Sequence, residues 1–277
     1  MVVKCRIILG YMDKIKKIKK HLNIKTLFAI LRRGFSIGYC PICEKRTFFF
    51  KRGDWWRDHY HCLRCLSIPR QRALFQVLHD FVPNWRNLHI HESSPNGPTF
   101  DKFSSNCQNY VPTQFFPNVN LGTLHQGFRC EDLARQTFAD DSFDIVITQD
   151  VLEHLLEPFE SFKEIHRTLK PGGLHIFSVP WYYWQGTKIR VKKKGEEIVF
   201  IEAPEYHNNP VDNDGSLVVT EFGNDLIDII QTCCGMTTTA IRLQDRRKGI
   251  EAKFIEIFIS RKPSPFIEQP INPWKLA

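Results

Sequence analysis

The sequence has no run of about 18 or more apolar residues, which excludes a membrane-spanning helix of ordinary length. It also has no small-residue cleavage site after the short apolar stretch at residues 5–12, because lysines follow there. We therefore expect no signal peptide and a cytoplasmic protein. The nine cysteines are an odd number, and without a secretion signal this argues against a framework of disulfides.

The charge of the chain is distributed unevenly. With 277 residues, 42% of them hydrophobic and 25% charged, the sequence can form one large globular domain or two. Residues 1–72 hold 18 Lys and Arg against four Asp and Glu, a net charge of +14, whereas residues 73–277 have a net charge of −6. The basic part indicates a partner rich in phosphate, either nucleic acid such as RNA or an anionic lipid surface. Alternatively, these lysines only keep a helix soluble.

The N-terminal segment, residues 1–36, is predicted to contain a basic amphipathic helix. Ile15, Ile18 and Leu22 share one face of a helix over residues 13–33, and lysines occupy the other face. Such a helix either packs its apolar stripe on its own protein or lies on an acidic membrane surface, and the sequence leaves both possibilities open.

Residues 37–70 form a separate small module with two Cys-x-x-Cys pairs, which 18 residues separate. Two such pairs on a short β-hairpin bring four thiolates to the tetrahedral distance that Zn²⁺ requires. Because four protein ligands fill the coordination sphere, we predict a structural Zn²⁺ site, which also stabilises a module with little core. The predicted ligands are Cys40, Cys43, Cys62 and Cys65.

From about residue 86 onward, apolar strands alternate with amphipathic helices, which predicts an α/β fold with a doubly wound, mainly parallel sheet. We assign residues 71–262 to this domain, with an insertion over 181–220, and we expect an extended Pro-rich tail over 263–277. The predicted elements are strands at 87–92, 109–114, 125–129, 143–148 and 174–180, helices at 155–173 and 221–234, and late strands at 238–243 and 253–260.

The stretch from residue 138 to residue 180 carries the most specific pattern. It reads FADDSFDIVITQDVLEHLLEPFESFKEIHRTLKPGGLHIFSVP, in which a strand is followed by Val-Leu-Glu-His, an amphipathic helix ending at Leu-Lys-Pro-Gly-Gly, and another strand. This pattern resembles class I S-adenosylmethionine-dependent methyltransferases, and with residues 205–230 and the Cys module the resemblance extends from residue 38 to about residue 260. It implies a Rossmann-like seven-stranded sheet with a reversed final hairpin. S-adenosylmethionine is then the implied cofactor, bound across the carboxyl ends of the first strands.

The resemblance also implies which residues hold this cofactor. The loop after the first strand contains a single glycine, yet it occupies the place of the glycine-rich loop of the family. His89 and Gln114 stand where the family has acids, and an amide forms a weaker hydrogen bond to a ribose hydroxyl than a carboxylate does. Alternatively, Glu92 only caps the following helix and Asp132 is a solvated loop acid. The residues assigned to the cofactor are Glu92, Ser93 and Gly97 for the amino-acid end, Gln114 for ribose, Asp132 and Leu133 for adenine, and Gln149 after the fourth strand.

Three residues are candidates for catalysis at the methyl acceptor. The resemblance places the end of the fourth strand opposite the methyl group, which makes Asp150 a wall or catalytic residue. His154 suits a general base for a hydroxyl acceptor because its ordinary pKa lies near neutrality, although with Glu153 it can equally stabilise the start of the helix. His207 lies in the segment 180–210, whose four successive aromatic residues either stack on a sugar or base or only pack a lid.

Three functions fit these features. The first is methylation of a small molecule or a glycan, on oxygen or by a permissive N-methylation, because the Asn/Asp-Pro-Pro-aromatic motif of amino-group DNA methylation and an evident catalytic cysteine pair are both absent. The second is RNA methylation, in which Arg64, Arg70 and Arg72 beside the Cys module hold phosphates. The third is a non-catalytic binding protein that keeps the fold and has lost the cofactor.

Overall fold

A computed structural model describes residues 35–195, 197–207 and 215–264 of the chain. The helix predicted at 13–33 lies outside the described residues, and so does the tail beyond residue 264. Within the described ranges, no helix is long and apolar enough to cross a membrane.

The described residues divide into two compact units. The smaller unit consists of the residues up to Phe75 together with Leu243–Ile255. The larger unit consists of Gln76–Arg242 and the residues from Glu256 onward. A segment near the end of the chain therefore belongs to the same unit as the Cys module.

The smaller unit is built on a three-stranded antiparallel sheet with the second strand in the middle. Phe49 and Tyr60 are fully buried in this unit, with their ring centroids 5.8 Å apart. A tight turn after the first strand holds Glu44 at a φ of 52°, and this turn contains Cys43, whereas Cys40 ends the strand. The elements are β1 (Phe35–Cys40), β2 (Lys45–Lys51), the one-turn helix α1 (Trp56–His59), β3 (Tyr60–Cys62) and helix α2 (Pro69–Phe81), which continues into the larger unit.

The larger unit contains an eight-stranded sheet with the order β17-β18-β9-β8-β4-β5-β7-β6. The five central strands, β9, β8, β4, β5 and β7, run parallel, and β6 and β18 run antiparallel to their neighbours. The strands in chain order are β4 (Ile90–Ser93), β5 (Tyr110–Gln114), β6 (Leu124–His125), β7 (Phe128–Cys130), β8 (Phe143–Gln149), β9 (Leu169–Ser178), β10 (Trp181–Tyr182), β11 (Lys188–Ile189), β12 (Val191–Lys194), β13 (Glu197–Phe200), β14 (Tyr206–His207), β15 (Ser216–Leu217), β16 (Thr220–Gly223), β17 (Thr237–Ile241) and β18 (Ile257–Arg261).

Three further helices accompany the sheet: α3 (Gly97–Asn106), α4 (Pro158–Thr168) and α5 (Leu226–Cys234). Helix α4 begins with a proline, which costs nothing at a position whose N–H has no partner within the helix. Its apolar face buries Phe162 and Ile165 completely in the core, together with Leu226 and Ile230 of α5. Gly235 ends α5 in the left-handed region, with a φ of 72°.

The predicted fold class is confirmed by this topology. All seven predicted strands are present, with parallel strands in the centre and a reversed hairpin of β17 and β18 at one edge. The two-residue strand β6 is an eighth strand that the sequence did not indicate.

Several element boundaries differ from the prediction. The helix predicted over 155–173 is α4 (Pro158–Thr168), because Leu169 already pairs with Phe143 of β8 and begins β9. Two further differences have local reasons. The strand predicted at 125–129 is a hairpin of β6 and β7, because Gln126 and Gly127 both have positive φ and turn the chain. The helix predicted from residue 221 begins at Leu226, because Thr220–Gly223 pairs as a strand with β10 and β11.

Strand pairing brings the carboxyl ends of three parallel strands to one edge. Ser93, the last residue of β4, pairs with Thr113 of β5 and with Thr148 of β8. The residues that follow these three positions are therefore neighbours in space. This edge is the switch point at which ligands bind in open α/β sheets.

Candidate functional site

The loop after β4 adopts the backbone that a glycine-rich loop would have, with little glycine. Ser94 has a φ of 52° and Gly97 has a φ of 59°, both in the left-handed region. A serine in that region is uncommon, and such backbone strain is concentrated at ligand-binding loops. The N–H of Ser94 is fixed by the carbonyl of Thr113 at 2.8 Å. Ser93 is buried at the end of the strand, and His89 is exposed ahead of its amino end.

Glu92 forms the centre of a buried polar network at this edge. Its side chain accepts hydrogen bonds from the hydroxyl of Tyr110 at 2.6 Å and from Nε2 of Gln149 at 2.8 Å. Gln149 Nε2 also lies 3.3 Å from the hydroxyl of Thr99 on α3. Burial raises the pKa of Glu92 to about 7, although both hydrogen bonds favour the ionised form. The network thus joins β4, β5, β8 and α3 around a single carboxyl group.

The residues predicted to hold ribose and adenine lie at the next two strand ends. Gln114 is the last residue of β5 and is partly exposed. Asp132 follows β7, and its carboxylate accepts the N–H of Ala134 at 2.9 Å and pairs with Arg135 at 3.0 Å. Leu133 is buried beside it. Asp132 therefore shapes its own turn, and it keeps 19% of its side-chain surface exposed.

Asp150 directly follows β8 and has a φ of 54°, which is unusual for a residue other than glycine. Its N–H donates to the carbonyl of Ser178 at 3.0 Å, and its carboxylate accepts the Ser178 hydroxyl at 2.8 Å. The ends of β8 and β9 are thereby fastened to each other. The carboxylate is held by the protein at the strand end that the prediction assigned to the methyl group.

Glu153, His154 and His207 converge into what we call the His–Glu cluster. One ligand atom from each residue can be chosen such that all three lie within 4.8 Å of one another. Nε2 of His154 lies 3.8 Å from a carboxylate oxygen of Glu153, and the two imidazole rings are 5.4 Å apart at their centroids. Nδ1 of His154 lies 2.8 Å from the carbonyl of Leu217. Only a protonated nitrogen can donate to a carbonyl, so in the neutral ring Nε2 carries the lone pair.

Backbone pairing positions the two halves of the His–Glu cluster. His207 lies on β14, which pairs with β15, and the N–H of Val219 beyond β15 donates to the carbonyl of Glu153 at 2.8 Å. Burial lowers the pKa of His154 below 6.5, and His207 lowers it further, against the opposing effects of the Leu217 carbonyl and Asp150. The surroundings of His154 therefore favour its neutral form.

The aromatic segment after β9 has two partly buried and two exposed side chains. Trp181 donates its indole N–H to the carbonyl of Gly223 at 2.7 Å, and Tyr182 is half-buried. Burial and then the carboxylates of the surrounding residues, Glu153 among them, raise the pKa of Tyr182. Tyr183 and Trp184 are 50% and 57% exposed, so both rings are accessible to a ligand.

In the smaller unit, Cys40, Cys43, Cys62 and Cys65 form one cluster, which we call the Cys cluster. The sulfur atoms of Cys40 and Cys65 are 3.7 Å apart, and those of Cys43 and Cys62 are 3.9 Å apart. Four sulfurs bonded to Zn²⁺ at about 2.3 Å lie roughly 3.8 Å from one another in a tetrahedron. None of these cysteines is in a disulfide, and their sulfur atoms have the separation that a tetrahedral metal ion needs.

A fully buried arginine supports the Cys cluster. Arg72 donates to the carbonyls of Ser67, Tyr60 and Gly249, at 2.8 Å for Tyr60 and 2.6 Å for Gly249. The hydroxyl of Ser67 lies 3.1 Å from the sulfur of Cys65. Arg72, predicted as a phosphate-binding residue, is therefore a structural residue of this unit, whereas Arg70 is partly exposed and pairs with Asp58.

Sequence reasoning missed the contributions of Thr99 and Tyr110 to the cofactor edge. No motif marks either residue, and their approach to Glu92 depends on the packing of α3 and on the pairing of β4 with β5. The structure brings Glu92 and Gln149 together and, separately, His154 and His207.

Known proteins resemble the larger unit. Residues 106–177 match a family described as a methyltransferase domain. The malonyl-[acyl-carrier protein] O-methyltransferase of Marinomonas sp. (strain MWYL1) is 36% identical over 59 residues, which are 21% of this chain and 22% of that relative. The match thus spans about a fifth of the relative. The resemblance to methyltransferases inferred from residues 138–180 is thus confirmed over the part of the chain that these matches cover.

Solved structures of methyltransferases are also similar, at low identity. An S-adenosylmethionine-dependent methyltransferase from Mesorhizobium loti is 13% identical, with a TM-score of 0.46, and the match covers 68% of this chain and 97% of that chain. The 1,6-didemethyltoxoflavin-N1-methyltransferase of Burkholderia thailandensis, solved with S-adenosylhomocysteine, is 13% identical, with a TM-score of 0.43 and coverages of 70% and 79%.

Proposed function

We propose that the protein transfers a methyl group from S-adenosylmethionine to a hydroxyl oxygen of a small molecule or a glycan. The observation that carries this proposal is the meeting of Glu92 and Gln149 at the carboxyl ends of β4 and β8. This pair lies in the unit whose residues 106–177 match the methyltransferase family.

The residues at this edge fit S-adenosylmethionine. Burying a carboxylate is unfavourable unless a partner offsets the lost hydration, and Glu92 is 1% exposed with a raised pKa. A cofactor with a cationic amino group supplies such a partner. The left-handed backbone at Ser94 and Gly97 allows the loop to approach the amino-acid end closely.

Each strand end then has a proposed task. Glu92, Ser93 and Gly97 hold the amino-acid end, Gln114 holds a ribose hydroxyl, and Asp132 with the N–H of Leu133 holds adenine. When bound, S-adenosylmethionine supplies an electrophilic methyl group on a positively charged sulfur. Gln149 keeps Glu92 oriented, so that the amino-acid end has a fixed position, and fixed position is the main requirement of an in-line transfer.

Asp150 and the His–Glu cluster are assigned to the acceptor. A neutral imidazole with its lone pair at Nε2 can accept the proton of a hydroxyl group or bind a metal ion that acidifies it. Tyr183 and Trp184 offer exposed rings on which a sugar can stack. The relative from Marinomonas is named as an O-methyltransferase, which agrees with an oxygen acceptor. Its similarity to this chain is limited to 59 aligned residues.

The Cys cluster is proposed to bind a structural Zn²⁺. Its sulfur separations of 3.7 and 3.9 Å agree with tetrahedral coordination, and Ser67 and Arg72 form a supporting layer around the thiolates. With four protein ligands, such an ion would have no open position for chemistry.

Calorimetric titration of the purified chain with S-adenosylmethionine and S-adenosylhomocysteine tests the proposed activity at its first step. We expect binding in the micromolar range, weakened about threefold to tenfold by Gln114→Ala, which removes a neutral hydrogen bond, and more by Asp132→Ala. Asp140→Ala, which changes an exposed acid of a nearby loop, serves as the control and should leave affinity unchanged.

An absence of heat and of any thermal shift at millimolar ligand would exclude the enzyme and leave a non-catalytic binding protein on this fold. Binding that neither substitution alters would place the cofactor elsewhere. If binding is confirmed, acceptors should be screened with sugars and small hydroxyl compounds before RNA.

A basic cleft in the smaller unit supports RNA methylation as a second candidate. The cleft has a volume of about 520 Å³ and is lined by Tyr39, Arg46, Arg247 and Lys248, among other residues. Cations beside an aromatic ring suit a single-stranded nucleic acid, whose phosphates pair with the cations and whose bases stack.

RNA binding through this cleft should depend strongly on salt. Each phosphate contact contributes a slope of about −0.7 to the logarithm of affinity against the logarithm of salt concentration for a single strand. The double variant Arg46→Gln, Lys248→Gln should make that slope shallower by about 1.4 in a fluorescence anisotropy titration. A salt-independent affinity, or an unchanged slope, would remove this candidate.

A further inference from the structure

The His–Glu cluster contains more than a general base requires. A base needs one imidazole and a group that orients it, and His154 already has the Leu217 carbonyl at 2.8 Å for that purpose. The cluster adds a second imidazole from β14 and a carboxylate that is 2% exposed. We propose that Glu153, His154 and His207 together bind a divalent first-row transition-metal ion.

The distances suit one shared ion. Bonds from such an ion to imidazole nitrogen or carboxylate oxygen measure about 2.0–2.2 Å, so two ligand atoms on the same ion lie at most about 4.4 Å apart. Glu153 and His154 already satisfy this limit at 3.8 Å. All three atoms lie within 4.8 Å, so shifts of about half an ångström complete the site.

The orientation of His154 is that of a metal ligand. Histidines that bind metals donate the N–H of their other nitrogen to a carbonyl or carboxylate, which fixes the tautomer and the plane of the ring. The Leu217 carbonyl receives Nδ1 in this way and turns the Nε2 lone pair toward Glu153. A peptide group, which does not titrate, holds that orientation.

The ligand types select the class of ion. Two imidazoles and one carboxylate occur with Zn²⁺ in catalytic sites and with Fe²⁺ in non-haem sites, whereas Mg²⁺ and Ca²⁺ prefer oxygen ligands. Glu205 lies 3.9 Å from His207, but it also pairs with Arg190 at 3.3 Å, and we leave it outside the ligand set. Three protein ligands leave coordination positions open.

The open positions give the ion a task at the acceptor, and this step rests on the proposed function. A hydroxyl oxygen bound to a divalent ion loses its proton to water far more readily, because the ion stabilises the oxyanion. The favoured acceptors are therefore compounds with two neighbouring oxygens, such as a vicinal diol, which can occupy two open positions at once.

Titration with Co²⁺ tests the site without cofactor or acceptor. The full chain, with its zinc content measured beforehand, is titrated while the visible spectrum is recorded. Co²⁺ on nitrogen and oxygen ligands gives ligand-field bands alone, whereas Co²⁺ in the Cys cluster also gives thiolate charge-transfer bands. We expect one equivalent with ligand-field bands alone, and an affinity reduced by more than about 100-fold in His207→Ala and in Glu153→Gln.

Tyr206→Ala is the matched control, because Tyr206 is the exposed neighbour of His207 on the same strand. This variant should bind Co²⁺ as the wild type does. Should Glu153→Gln fail to fold, His207→Ala decides, because the His207 side chain is 33% exposed and its removal leaves the core intact. Spectra with thiolate bands alone, or an unchanged affinity in His207→Ala, would overturn the proposal.

The outcome is separable from that of the proposed function. Cobalt binding requires neither S-adenosylmethionine nor an acceptor, and the calorimetric titration with S-adenosylmethionine requires no ion at the His–Glu cluster. A chain that binds the cofactor and no second metal keeps the methyltransferase and loses the metal site. A chain that binds the metal and no cofactor keeps the metal site and loses the methyltransferase activity.

Discussion

Replacing Cys62 with serine is expected to release the metal from the Cys cluster and to unfold the smaller unit. Cys62 is fully buried, and a serine hydroxyl is a poor substitute for a thiolate on Zn²⁺. Structural zinc contributes about 10–16 kcal/mol to the folding of small peptides, which is comparable with the whole stability of an ordinary domain, about 5–15 kcal/mol. Zinc content measured by mass spectrometry should fall from one ion per chain to nearly none, and limited proteolysis should cut within residues 35–75.

Cys233→Ser is the control for this experiment. Cys233 lies on α5 of the larger unit, outside the Cys cluster, and is partly exposed. That variant should keep one zinc ion per chain and the protease resistance of the wild type. A Cys62→Ser protein that does the same, or a wild type without zinc, would show that the module folds without a metal.

Glu92→Gln is expected to remove the pH dependence of cofactor binding near neutrality. The pKa of Glu92 is about 7 in the protein, against an ordinary value of 4.5. A cationic amino group favours the ionised carboxylate, so binding should release a proton and affinity should rise as the pH increases from 6 to 8. At pH 8 the variant should bind about 10- to 100-fold more weakly, because a charge-assisted hydrogen bond is lost. Calorimetry in two buffers with different ionisation enthalpies measures both quantities.

The same pKa shift has the opposite effect on stability: the free energy of unfolding falls as the pH rises, whereas cofactor affinity increases. Because the folded-state pKa is raised, the stability contributed by protonated Glu92 is fully present below pH 4.5 and is lost as the pH rises through about 7. In the absence of cofactor, Glu92→Gln should therefore be more stable than the wild type at pH 8. Glu160→Gln, which changes an exposed carboxylate, should alter neither property. A wild type whose cofactor affinity is independent of pH would contradict the assignment of Glu92.

The sequence was sufficient to predict the class of the sheet and most of its strands, because long apolar strands and an amphipathic helix carry their own periodicity. Strand β8 and helix α4 are examples, and each buries the apolar residues that its pattern selects. The residues at which helices and strands begin and end were harder to predict, because they depend on pairing between strands. Thr220–Gly223 continues the apolar pattern of α5, and only its partners β10 and β11 make it a strand.

The residues of the candidate sites also differ in how far the sequence predicts them. Cys40 and its three partners follow from spacing alone, because thiolate chemistry restricts what such spacing can mean. Tyr110 and Thr99 do not, because their hydrogen bonds into the Glu92 network require the register of neighbouring strands. The approach of His207 to His154 requires the pairing of β14 with β15, whose two-residue strands are too short to give a pattern.

The smaller unit is made of two separate stretches of the chain, and this determines when it can fold during synthesis on the ribosome. Residues 35–75 are synthesised early, and the hairpin with the two Cys pairs can capture a metal ion as soon as it emerges. The backbone carbonyl of Gly249, which takes two of the hydrogen bonds of buried Arg72, arrives more than 170 residues later. The unit can therefore be completed only after most of the sheet of the other unit has been made. Fragments that end before residue 243 should carry a cysteine module that binds metal and yet leaves its central guanidinium exposed to water.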